Sequence, residues 1–239
     1  MMRCRGIFFF TTSFVWIVSG YSQSSFTLTG GFNNSIFYCS QTKAEYYHNF
    51  TPENAYLANF SYRENLSALQ KNLQVGIQME FKQQSSGFYY RDINTIDTID
   101  TSVKNNIRSV NLYLFPELKV GESIKFIFSG GPVFQYIVNV EAKGKQAKTQ
   151  TGNNSIETDI HDKNSKEISG CNLGAKINLG LEMPIYKNLY FTFCNSYYAG
   201  FTGMQGNLSK RMKYFNCVDI NISGGIIYVF NHKNWFDKK

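Results

Sequence analysis

The chain has 239 residues, 43% of them hydrophobic and 16% aromatic, with a formal net charge of +7. Its slightly negative mean hydropathy excludes a bundle of membrane helices. The basic residues are scattered and often adjoin acids, whereas a nucleic-acid binder would gather them in a stripe.

The N-terminal stretch MMRCRGIFFFTTSFVWIVSGYSQ places Arg3 and Arg5 ahead of an apolar run from Gly6 to Val18, followed by small and polar residues. This is the layout of a secretory signal peptide, and the run is too short to span a membrane as a helix. The reading is a signal over residues 1–22 and one exported domain over 23–239. Cys4 precedes the apolar run, so it is not the acylated cysteine of a lipoprotein signal.

Period-two alternation then recurs eight times. SSFTLTGGFN sets Phe26, Leu28, Gly30 and Phe32 against Thr27, Thr29 and Gly31. AYLANFSYR sets Tyr56, Ala58, Phe60 and Tyr62 against Leu57, Asn59, Ser61 and Arg63. LQVGIQMEFK, RSVNLYLFPEL and SIKFIFSGGPVFQYIVNVE continue the pattern, the last with Phe134, Tyr136, Val138 and Val140 on its apolar face. SGCNLGAKINLGLEM, LYFTFCNSYYAGFT and DINISGGIIYVF complete the set. Several runs reach the nine to eleven residues of a tilted membrane strand.

The links alternate in length. After the second, fourth and sixth strands they are short: ENLSALQKN, KVGES and YKN. After the others they are long, spanning roughly 34–54, 84–107, 142–168 and 203–214. Short periplasmic turns and long outer loops are the asymmetry of an outer-membrane barrel. The fold expected is therefore all-β: an eight-stranded antiparallel transmembrane barrel. The long links read as polar surface loops, with NTIDTIDT as loop decoration or strand extension.

A soluble carrier of lipocalin type would have the opposite polarity, with an apolar lumen. Here the polar faces mix glycine with single charges, as in Gly174, Lys176, Gly180 and Glu182. The inward charges are Arg63, Glu80, Lys82, Lys125, Lys176, Glu182 and Asp219. Their mixed signs suit a plug of buried ion pairs better than an ion path, since a lumen of eight strands is narrow.

GxSxG, P-loop, HExxH and CxxC motifs are all missing. His48 and His161, the latter flanked by Asp159 and Asp162, are the histidines available to an outer-rim enzyme site. No cofactor is expected. Cys194 and Cys217 point inward on neighbouring strands, and either a disulfide between them or two buried free thiols fits.

With this layout, FTLTGGFNNS, NLQVGIQMEF, VNLYLFPELKVGESIKFIFSGGPVF and the closing IIYVF resemble the PorT-like outer-membrane barrel family of Bacteroidetes. The resemblance implies a barrel without catalytic residues and points to an accessory role in protein secretion or envelope assembly. Expected partners are outer-membrane lipid and proteins of an envelope or secretion complex, with no nucleic acid and a monomeric barrel. The alternatives are an outer-membrane lipid-modifying enzyme and a soluble carrier of an apolar ligand. The tail after Phe230, with Trp235 and Phe236, reads as a membrane-surface segment.

Overall fold

The computed structural model describes residues 23–39, 47–66, 72–93, 97–150, 155–162, 170–202 and 215–231. Residues 1–22, read from the sequence as a signal peptide, and the C-terminal tail lie outside the described residues.

Nine antiparallel strands follow in order: β1 (Gln23–Cys39), β2 (Tyr47–Asn65), β3 (Leu73–Ile93), β4 (Asp97–Val120), β5 (Lys125–Gln150), β6 (Ser155–Asp162), β7 (Cys171–Tyr186), β8 (Leu189–Gly200) and β9 (Phe215–Asn231). Eight of them close a ring in the order β1-β2-β3-β4-β5-β7-β8-β9, with β9 returning to β1. The ninth, β6, pairs with the distal half of β5 alone. Gln23 opposite Asn231 brings both ends of the ring to the same rim. That rim also carries the turns at 121–124 and 187–188, so it is the periplasmic rim. The tight β4–β5 turn uses Gly121 at φ 123°, where a side chain would be strained.

The alternation read from the sequence becomes two faces with inverted polarity. Leu28, Phe32, Phe60, Phe81, Leu114, Phe126, Leu173, Phe193, Ile222 and Ile226 all point out and are exposed, while Asn111, Gln135, Asn178 and Asn221 are buried inside. On β4 the apolar face runs from Val110 to Val120. Eleven residues tilted by about 40° rise ~25 Å, the height of a membrane barrel's apolar band. A soluble carrier would need these faces reversed.

Two expectations need correction. First, the described parts of the long links are mostly strand: β3 and β4 run as one hairpin to residues 93 and 97, and the described residues of 142–162 supply the end of β5 and all of β6. Thr98–Thr101 of the Ile-Asp-Thr repeat is strand extension paired with Tyr90–Ile93. Above Arg108, β4 continues for a distance on the order of 30 Å along the tilted axis. The wall is thus tall over β3–β6 and low at β7 and β8, which end at Cys171 and Gly200.

Second, Val140 is buried inside rather than on the outer face with Val138. Arg108 pairs with Asn139 but Ser109 pairs with Ile137, so one extra residue bulges from β5. A bulge of one residue reverses the alternation beyond it. The inverted residues join Ile107, Ile137 and Cys217 in an apolar layer at the outer end of the lumen.

Candidate functional site

The lumen is the one place where charge, burial and convergent strands coincide among the described residues. The structure places Arg63, Glu80, Lys82, Lys176, Glu182 and Asp219 inside it and buried. Lys125 sits at the periplasmic rim, its side chain one-third exposed, with Nζ 3.7 Å from Glu182.

At the outer level, Lys82 Nζ of β3 donates to Asp219 Oδ2 of β9 at 2.5 Å. Gln84 Nε2 donates to the same carboxylate, and Gln135 Nε2 donates to Gln84 Oε1 at 2.8 Å. Asn172 and Tyr198 complete this network by donating to Gln135 Oε1. At the middle level, Lys176 Nζ of β7 donates to Glu80 Oε2 of β3 at 2.5 Å, and Asn111 Nδ2 donates to Oε1. Nearer the turns, Arg63 Nε of β2 lies 3.1 Å from Glu117 of β4, and Lys119 of β4 pairs with Glu182 of β7.

None of these four pairs joins neighbouring strands: Lys82–Asp219 and Lys176–Glu80 reach across the lumen past two intervening strands, and Arg63–Glu117 and Lys119–Glu182 each bridge one. Such a pair ties strands that the backbone ladder leaves unconnected.

Each crossing cation except Lys119 also faces an aromatic ring. Lys82 lies over Tyr198 at 5.0 Å, Lys176 over Tyr113 at 5.4 Å and Arg63 over Phe115 at 5.8 Å. The ring quadrupole adds attraction in a site where water is scarce. Glycines make room for two of these rings. A Cβ at Gly76 would lie 2.4 Å from the Phe115 ring, and one at Gly174 would lie 2.5 Å from the Tyr198 ring.

Two lumenal charges escaped the sequence reading: Glu117 and Lys119. Alternation carried past Pro116 reaches Glu117 and Lys119, because both share the inward parity of Tyr113. With them, Arg63, Lys82, Lys119, Lys176 and Lys125 meet Glu80, Glu117, Glu182 and Asp219. Among the described residues five cations thus face four carboxylates, the fifth cation being the part-exposed Lys125 at the rim, so each fully buried charge has an opposite partner.

A chamber of about 30 Å³ lies among Thr27, Ser61, Arg63, Asn178 and Ser196, room enough for ordered water. The Oδ1 atom of Asn178 is buried there without a donor among the described residues, so the chamber has a polar reason to hold water.

Cys194 and Cys217 are both free thiols, which corrects the disulfide reading. Cys194 pairs in register with Ser223 of β9, six residues along that strand from Cys217. Six residues of strand are roughly 20 Å, far beyond the Cα separation a disulfide spans. His161 is exposed on β6, and the side chain of His48 lies outside the described residues. Among the described residues no group of three or more His, Cys, Asp or Glu could hold a metal ion.

The fold and its inverted faces define the class: a transmembrane β-barrel of the outer membrane of a Gram-negative bacterium. No protein-family model matches the chain, and no curated protein matches it. Among solved structures it is similar to OprG from Pseudomonas aeruginosa, an outer membrane protein, at 10% identity and TM-score 0.47, over 90% of this chain and 99% of that one. It is similar also to Ail, the attachment invasion locus protein of Yersinia pestis, at 16% identity and TM-score 0.37, over 88% of this chain and 100% of that one. A major outer membrane protein from Thermus thermophilus is a third, at 8% identity and TM-score 0.41, over 87% of this chain and 99% of that one.

Proposed function

We propose that the chain is a non-enzymatic barrel of the PorT-like kind. It does not conduct; it anchors a tall extracellular sheet that engages proteins of an envelope or secretion complex. The observation that carries this reading is the contrast between its two halves. The membrane half is filled with buried charge pairs that reach across the lumen. The outer half extends β3, β4 and β5 well beyond the apolar band and adds β6, which the membrane does not require. Strand built beyond the bilayer is surface available to partners.

Affinity capture from membranes tests the reading. The native barrel should retain specific envelope proteins, and a variant with residues 143–162 replaced by a short turn should lose them while staying folded. Failure of either protein to retain a partner, together with an altered lipid A profile in a deletion strain, would favour the lipid-modifying enzyme instead.

A further inference from the structure

The outer wall is not uniformly filled. At the β4–β5–β7 seam the lipid-facing surface sinks into a groove of about 310 Å³ lined by Leu73, Pro116, Leu118, Phe128, Ile177 and Leu179 around Gly130. The β4–β5 pairing lapses there. It runs to Tyr113 opposite Val133 and resumes at Glu117 opposite Ser129, skipping Leu114–Pro116 and Gly130–Pro132. Pro116 and Pro132 lack the N–H that a continuous ladder would use.

Two adjacent glycines at this seam differ in what they are for. A Cβ at Gly131 would lie 2.1 Å from the carbonyl oxygen of Leu114, so close backbone approach requires glycine there. At Gly130 the nearest atoms to a Cβ would be the Lys176 carbonyl oxygen at 3.7 Å and Ile177 Cγ1 at 3.8 Å, which are ordinary contacts. Gly130 is also not at positive φ. Neither backbone shape nor crowding calls for glycine at 130; what its missing side chain provides is the groove.

The groove's surroundings identify its occupant. It is continuous with the apolar band, so the medium over it is hydrocarbon. Leu73 and Leu118 place it toward the periplasmic turns, in the inner half of the bilayer. We infer that the groove holds one acyl chain of a phospholipid in a fixed position, distinct from the fluid lipid around the rest of the barrel. The inference rests on the membrane placement of the barrel and not on the proposed partner.

Native mass spectrometry tests it, using the full barrel released from nanodiscs of phosphatidylethanolamine and phosphatidylglycerol. The native protein should retain one phospholipid per barrel. Gly130→Phe fills the groove and should lower the retained fraction at least about five-fold. Gly30→Phe is the control: Gly30 also faces outward, on β1 away from the groove, with only the Leu57 carbonyl oxygen within 4 Å of its Cβ position at 3.9 Å, and it should retain lipid as the native protein does. Heat-dependent gel mobility establishes that each variant is folded. If Gly130→Phe does not fold, Gly130→Leu fills the same space with a smaller side chain. The inference is overturned if the native barrel retains no lipid, if the groove-filling variant retains as much, or if both glycine variants lose it equally.

Discussion

Lys82 and Asp219 lie 137 positions apart in the sequence and meet across the lumen at 2.5 Å, with neither side chain exposed. The pair ties β3 to β9, two strands separated in the ring by β2 and β1. Gln84 donates to the same carboxylate, so the Asp219 oxygens remain satisfied without water.

Removing one partner should cost more than removing both. Lys82→Met leaves Asp219 buried and uncompensated, a loss of about 3–5 kcal/mol. The double variant Lys82→Met/Asp219→Leu removes the stranded charge and should recover most of that. Urea unfolding in detergent micelles measures both; equal losses in the single and double variants would show that the pair is not buried together.

The crossing pairs also predict silence in planar bilayers. The native barrel should give no steady conductance, because buried, hydrogen-bonded charge pairs fill its lumen. Glu80→Ala/Lys176→Ala removes the middle crossing pair and should produce small, resolved steps. A native barrel conducting like an open porin would refute the plug.

The thiols give a chemical prediction. Cys217 is fully buried and Cys194 partly so, and both are free. In the folded barrel Cys217 should resist a water-soluble maleimide and react once the barrel is unfolded, following exposure. Labelling of Cys217 at the same rate in both states, read by mass spectrometry, would contradict its placement.

Ring-accommodating glycines should be intolerant of bulk. Gly174→Val drives a side chain into the Tyr198 ring and should lower stability by about 1–3 kcal/mol through overpacking. Gly30→Val points into open space and should leave stability nearly unchanged. The unfolding midpoints of the two variants compare the effects directly.

The membrane part of the fold was legible because one rule governs it. A strand with lipid on one side and a packed lumen on the other must alternate, so Ile220, Ile222, Asp219 and Asn221 could be assigned faces from DINISGGIIYVF alone. The rule fails where its cause ends. Beyond the bilayer both faces of a strand meet polar surroundings, so EAKGKQAKTQ carries no apolar period and reads as loop although it is strand. The bulge near Val138 leaves no sign in composition, and Val140 therefore stood on the wrong face. In RSVNLYLFPEL the alternation is clear only to Leu114, before Phe115 and Pro116 interrupt it, and Lys119 falls in the link KVGES, which hid Glu117 and Lys119. The charges on the lumen face could be listed from parity, but their partners could not. Which wall Lys82 reaches depends on ring closure and on the stagger of strands far apart in sequence.

Arginine placed at two depths tests the inverted barrel most directly. Ile222 faces outward within the apolar band, while Ser102 lies on the same outer surface of β4 well above it. In lipid vesicles, Ile222→Arg should lower unfolding stability by about 2–4 kcal/mol, and Ser102→Arg by no more than about 1 kcal/mol. Equal and small losses at both positions would mean that Ile222 does not face hydrocarbon, and would contradict a membrane barrel with its polar side turned inward.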